Sequence, residues 1–114
     1  MSDERFQKCM QLCVGCAIEC TNCANACLQE KDLQMHMRCI LLNKDCAALC
    51  QLTVSAIDNK NPLLSQVLEL CADMCSACAD ECDKHNHEHC KRCAEICRQC
   101  AAECRKALAP ETIV

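Results

Sequence analysis

Eighteen cysteines stand at Cys9, Cys13, Cys16, Cys20, Cys23 and Cys27, then Cys39, Cys46 and Cys50, then Cys71, Cys75, Cys78 and Cys82, then Cys90, Cys93, Cys97, Cys100 and Cys104. A thiolate is a nucleophile, a redox partner and a soft metal ligand, so the spacing has to decide between these chemistries. Within each group the steps are three, four or seven residues. Such steps keep side chains on one stripe of an α-helix, whereas a strand changes face at every residue. Helical neighbours at i and i+4 have Cβ atoms about 5–6 Å apart, beyond the roughly 3.5–4.5 Å that a disulfide wants. Bridges between helices stay geometrically open. A metal ion closes the gap within a helix, because two metal–sulfur bonds of about 2.3 Å span roughly 4.6 Å. Cys9/Cys13, Cys16/Cys20, Cys23/Cys27, Cys46/Cys50, Cys71/Cys75, Cys78/Cys82, Cys93/Cys97 and Cys100/Cys104 are therefore candidate two-coordinate clips. A lone free cysteine is ordinarily a small buried hydrophobe; this many in register form a metal-binding stripe.

Softness and charge select the metal. Thiolates favour copper(I), zinc or iron–sulfur clusters, and burying uncompensated charge is prohibitive. Copper(I), with one positive charge per bridging thiolate, leaves a core of eighteen thiolates near neutrality. Isolated four-thiolate zinc sites each retain two negative charges, and the stripes contain no Lys or Arg to offset them; bridged zinc clusters soften that objection. The alternatives are a zinc buffer, an iron–sulfur electron carrier and a dithiol oxidoreductase. Cys-x-x-Cys pairs such as Cys20/Cys23 and Cys75/Cys78 superficially suit clusters, but no cysteine precedes proline as in many ferredoxin runs. Nor is there a βαβ context for a redox Cys-x-x-Cys.

The elements that must position these sulfurs follow from the grouping. Four cysteine groups predict four helices, over residues 3–29, 32–58, 62–85 and 87–108. Ser2 with Asp3 and Glu4 suits the first N-terminus, Asp32 the second. Asn61 and Pro62 read as N-cap and first helical residue of the third, and Ala109-Pro110 ends the fourth. The chain contains one glycine, Gly15, which suits long helices better than a loop-rich disulfide scaffold. The expectation is a single all-α domain over 1–114, an antiparallel up-down-up-down four-helix bundle with a cysteine-lined core.

Antiparallel topology gathers Met35, His36, Met37, His85, His87 and His89 at one end of that core, a donor-rich mouth. Of these, Met35, His36, His85, His87 and His89 are candidate ligands, while Met37 also suits packing, as do Met10 and Met74. The opposite end collects Phe6, Ile57, Leu64, Val67, Leu68 and Leu108 as an apolar plug. Outer ridges of Met10, Val14 and Ile18 on the first helix and Ile40, Ala47 and Val54 on the second point to self-association through these two helices.

A net charge of −4 and a single aromatic, Phe6, without Trp or Tyr, argue against nucleic-acid binding. No basic, apolar leader follows Met1, and polar residues interrupt every apolar run before it reaches the length that spans a bilayer. The expected location is the cytoplasm, where thiols stay reduced.

The stretch Cys71-x-x-x-Cys75-x-x-Cys78-x-x-x-Cys82, together with Lys84-His85-Asn86-His87-Glu88-His89-Cys90-Lys91-Arg92-Cys93, resembles the bacterial copper storage proteins, specifically their cytosolic branch. The resemblance covers nearly the whole chain. It implies a bundle holding many copper(I) ions on the eighteen cysteines, admission at the His/Met end and assembly into tetramers. It also implies storage or buffering rather than catalysis, with a copper chaperone or copper enzyme as a possible partner. Two features depart from the family pattern: Met35, His36 and Met37 mix donor types at the mouth, and the second helix carries only Cys39, Cys46 and Cys50.

Overall fold

The computed structural model describes residues 4–108, which form four helices: α1 (Glu4–Cys27), α2 (Leu33–Asp58), α3 (Leu64–Cys82) and α4 (Glu88–Leu108). α1 packs on α2 and α4, and α3 packs on the same two, while the diagonal pairs make no backbone approach. Connections of about five residues force successive helices antiparallel, so the four close into a square around one axis.

Local chemistry explains where each helix starts and stops. Asp32 caps α2 by accepting the Met35 N–H at 3.1 Å, a contact worth about 1 kcal/mol. α4 opens on Glu88 and ends on Arg105 and Lys106, charges that complement its dipole. α2 ends in a Schellman motif: the Asn61 N–H reaches the Ala56 carbonyl at 2.9 Å and the Lys60 N–H reaches that of Ile57 at 3.3 Å. Lys60 takes the left-handed conformation there, at φ 55°, a position that glycine usually holds.

The same turn corrects the expected start of α3. Asn61 is not its N-cap and Pro62 not its first residue. The Asn61 side-chain oxygen accepts the Leu63 N–H at 2.8 Å and its carbonyl accepts the Leu64 N–H at 2.9 Å, so the turn extends past Pro62 before the helix begins. α1 and α3 stop at Cys27 and Cys82, two and three residues short of the expected 29 and 85, because 28–31 and 83–85 turn to bring the next helix back. The expected cap at Ser2 and Asp3 and the stop at Ala109-Pro110 lie outside the described residues.

All eighteen cysteines are buried and free of disulfides. Alanines flank them, with Ala17, Ala24, Ala72, Ala79, Ala94 and Ala101 also buried, and such small side chains allow the helices to approach closely. Gly15 belongs to the same economy of volume: a Cβ there would stand 3.1 Å from Ile96 Cδ1 of α4.

Two further expectations change. Ile40 and Ala47 do not form an outer ridge; they are buried within the chain, since α2 turns a wider face inward than its cysteines alone indicate. α2 is also long and apolar enough by length and composition to cross a membrane, contrary to the reading that no segment is. It nonetheless carries His36, Cys39, Asn43, Cys46 and Cys50 into the bundle, the placement of a core helix.

Candidate metal centre

The inward register of each helix runs beyond its cysteines. On α2 it reads His36, Cys39, Asn43, Cys46, Cys50, Thr53 and Ile57, all buried. On α3 it reads Leu68, Cys71, Cys75, Cys78 and Cys82, followed past the helix end by buried His85. A helix of 3.6 residues per turn makes these one face, so sulfur, imidazole and aliphatic groups share a single axis.

Most of the short sulfur contacts cross between helices. Cys13 meets Cys100 and Cys16 meets Cys97, each at 3.6 Å; Cys9 meets Cys104 at 3.7 Å. On the other side of the square, Cys39 meets Cys82 and Cys46 meets Cys75, both at 3.6 Å. Contacts within a helix also occur, Cys16 to Cys20 at 3.8 Å and Cys93 to Cys97 at 3.9 Å. With metal–sulfur bonds of about 2.3 Å, sulfurs roughly 4.0 Å apart bracket a trigonal ion and roughly 4.6 Å a linear one, so small movements suffice for either.

The sulfurs gather into quartets whose members all lie within 4.8 Å of one another: Cys13, Cys71, Cys100 and Cys104; Cys16, Cys46, Cys50 and Cys75; Cys16, Cys20, Cys46 and Cys97; Cys20, Cys78, Cys93 and Cys97; and Cys23, Cys27, Cys39 and Cys90. Each of these draws from three helices, so the two-residue clips expected from spacing are parts of larger cages. Several quartets share corners, with Cys16, Cys20, Cys46 and Cys97 each serving two.

Asn43 is a site residue that sulfur spacing passed over. It is wholly buried and stands where α2 skips a cysteine, four residues after Cys39 and three before Cys46. Its amide donates to the Cys39 carbonyl at 2.9 Å and to the sulfurs of Cys39 and Cys82 at 3.3 and 3.7 Å. Its oxygen accepts from the thiols of Cys93 at 2.9 Å and Cys78 at 3.2 Å. The carboxamide thus ties the cysteines nearest the mouth to those deeper in. The break in the cysteine stripe, read with the helical period, was the signal that could have found it.

Desolvation is the largest influence on Cys27 and Cys90 and pushes both thiols up, Cys90 to about 11. For other thiols hydrogen bonds between sulfurs dominate: deep in the core the contact with Cys16 helps Cys97 to hold its proton, while in the same quartet as Cys27 and Cys90 the contact with Cys23, ahead of that with Cys82, lowers Cys39 to about 3. A metal entering such a site must displace protons, which couples affinity to pH.

At the mouth the structure brings His36, His85, His87 and His89 together. Ring centroids are 4.7 Å apart for His36 and His85, 5.0 Å for His36 and His87, and 5.2 Å for His87 and His89. His36 and His85 are buried. His36 Nδ1 donates to the Asp32 carbonyl at 2.8 Å, which leaves Nε2 to face His87 Nε2 at 3.1 Å. His85 Nε2 lies 3.2 Å from the buried carboxylate of Glu81. His89 spans the boundary, its Nδ1 at 3.4 Å from Cys23 and 3.5 Å from Cys90, its Nε2 at 3.0 Å from Glu30. Such outer partners orient the rings of metal-binding histidines. Glu30 and Glu81 were not among the expected site residues: Glu30 lies in a turn, where no period marks it, while Glu81 sits one residue before Cys82 on a face that reads as polar. Met35 and Met37 are exposed, at 63% and 40%, so the histidines are the donors that cluster.

Among the described residues, the opposite end has no such donors. Leu68 and Ile57 are buried, with Phe6, Leu64 and Leu108 partly buried against the core. Glu103 is buried on α4, with Lys106 at 3.1 Å and Lys8 at 3.9 Å.

Comparison with known proteins follows this geometry. The sequence profile of the copper storage protein family matches residues 2–109. The Cu(I)-bound copper storage protein BsCsp3 is 38% identical with a TM-score of 0.88, over 93% of this chain and 100% of that one. A cytosolic copper storage protein from Streptomyces lividans, described with five coppers, is 38% identical with a TM-score of 0.91, over 96% of each chain. An uncharacterised cysteine-rich protein of Bacillus subtilis, YhjQ, is 40% identical over 74 residues, 64% of this chain and 68% of that protein.

Proposed function

We propose, since the chain belongs to the copper storage protein family, that it stores and buffers copper(I) in the cytoplasm by filling the core with ions bound to Cys9, Cys13, Cys16, Cys20, Cys23, Cys27, Cys39, Cys46, Cys50, Cys71, Cys75, Cys78, Cys82, Cys90, Cys93, Cys97, Cys100 and Cys104. The observation that carries this reading is the set of buried sulfur quartets, each spanning three helices. No single metal centre needs so many linked cages, whereas a store does. The ions are cargo, and the chain has storage rather than turnover as its task.

Charge sustains the choice of copper(I). The stripe positions bear no cationic side chain, and each ion that replaces a thiol proton leaves the charge of the core unchanged. A dication held by the four thiolates of one such cage would leave two negative charges uncompensated, at a steep desolvation cost. Ions are admitted at the histidine end, where His36, His85, His87 and His89, with Met35 at the rim, offer donors softer than water and less tenacious than thiolate. They are excluded at the Leu68 end. The exposed apolar residues Val14 and Ile18 of α1, at 47% and 56%, line a groove with Gln51 and Val54 of α2, and this face supports assembly into a homo-oligomer, a tetramer by family resemblance. The single domain extends over 1–114, and copper passes to a chaperone or copper enzyme.

The decisive experiment is an anaerobic copper(I) titration of the fully reduced chain against a chelator that reports free metal. The chain lacks Trp and Tyr, so concentration is set by thiol counting. Many ions per chain are expected. Saturation below the five coppers described for the Streptomyces lividans protein overturns the storage reading.

A further inference from the structure

Glu30 sits in the turn between α1 and α2, which backbone hydrogen bonds hold in place: the Gln29 N–H reaches the Ala26 carbonyl at 3.0 Å and the Glu30 N–H reaches that of Cys27 at 3.1 Å. Its carboxylate is therefore delivered from a fixed backbone, and its side chain is 27% exposed. One oxygen, Oε2, lies 3.0 Å from His89 Nε2 and 3.5 Å from His87 Nδ1. These two rings stack within 5° of parallel, and of the two it is His89 that is hydrogen-bonded to this oxygen.

The consequence for His89 is chemical. A neutral imidazole carries one N–H and one lone pair, and the hydrogen bond made by one nitrogen decides what the other can do. A carboxylate accepts and does not donate, so the Nε2 beside Glu30 carries the proton. Nδ1 is left with its lone pair, and it stands 3.4 Å from Cys23 Sγ and 3.5 Å from Cys90 Sγ. In the other tautomer the N–H would point at those sulfurs and obstruct a cation there. Cys23 and Cys90 belong to the outermost sulfur quartet, the first that an ion coming past the histidines would meet.

We propose that Glu30 is a positioning residue for metal admission: its carboxylate holds His89 in the tautomer whose lone pair faces the sulfurs of Cys23 and Cys90. The proposal rests on the reading of the histidine end as the route inward. Glu30 itself touches no ion and sets no capacity; it governs how readily the first quartet accepts metal. Partners of this kind commonly change metal affinity by about 10–100-fold.

The test uses the full reduced chain, with copper(I) supplied as the complex of a chromophoric chelator. Ring 15N shifts of the apoprotein report the His89 tautomer. Chelator bleaching gives the initial transfer rate, and the end point gives ions per chain. The wild type is expected to show His89 protonated at Nε2. Glu30→Ala is expected to raise the Nδ1-protonated fraction and slow initial transfer about tenfold, at unchanged final capacity. Glu30→Gln keeps a neutral acceptor and falls between. A wild type protonated at Nδ1 overturns the proposal before any variant is made. So does Glu30→Ala with an unchanged tautomer, an unchanged rate, or a reduced capacity. His89→Ala separates the two readings: if it loads at the wild-type rate, admission at the histidine end fails, whatever the tautomer of His89.

Discussion

At one end of the bundle the inward registers of α2 and α3 finish in His36 and His85; at the other they finish in Ile57 and Leu68. Both ends close the axis with buried side chains, yet they close it differently. The aliphatic end is held by apolar burial, which has no directional requirement and no use for a cation. The histidine end is held by oriented contacts to Asp32, Glu30 and Glu81, and the first two leave a ring nitrogen facing another donor, His36 Nε2 towards His87 and His89 Nδ1 towards Cys23. Under the proposed admission route, stability and traffic fall to opposite ends of one tube. Substitutions at the two ends should separate the two properties.

The largest effect is expected from Leu68→Ala. Leu68 is 2% exposed, and removing such a side chain costs about 2–5 kcal/mol, read as a lower urea midpoint for the apoprotein. The copper end point of the folded fraction should not change. Slower copper uptake in that variant would break the division between the ends. Asn43→Ala comes next, at about 1–3 kcal/mol, because the thiols of Cys78 and Cys93 lose their acceptor. Asn43→Cys sharpens the same point, since it completes the α2 stripe and should raise the copper end point in the chelator titration. His36→Ala should cost the apoprotein only about 0.5–1.5 kcal/mol, the worth of its bond to the Asp32 carbonyl, while clearly slowing copper transfer in stopped flow. An unchanged loading rate there would count against the gate. The smallest effect is a gain. Lys60→Gly relieves a left-handed residue at the aliphatic end, and a rise in urea midpoint of less than about 1 kcal/mol is expected, without any change in loading.

The helices were legible from the cysteines because a stripe at steps of three and four leaves no alternative geometry. The mouth and the plug followed once successive helices were taken as antiparallel. What escaped has a physical reason in each case. Asn43 was hidden because thiol chemistry was read from sulfurs alone, although its position in the period marked it as inward. Ile40 and Ala47 read as an outer ridge because α2 has three cysteines where α1 has six, and a sparse stripe understates the width of the buried face. Glu30 lies in a turn, where no period operates, and it reaches His89 across 59 residues of sequence; only the packing of α1 against α4 brings them together. The start of α3 shifted because Asn61 used its side chain to prolong a turn instead of opening a helix.

The shared corners among the sulfur quartets have a statistical consequence. An ion seated among Cys16, Cys20, Cys46 and Cys97 already immobilises two members of each adjoining quartet, so the neighbouring vacancy loses less conformational freedom when it fills. Occupancy then spreads from a seed. A half-supplied population should divide into sparsely and heavily metallated molecules, a bimodal distribution that native mass spectrometry would resolve.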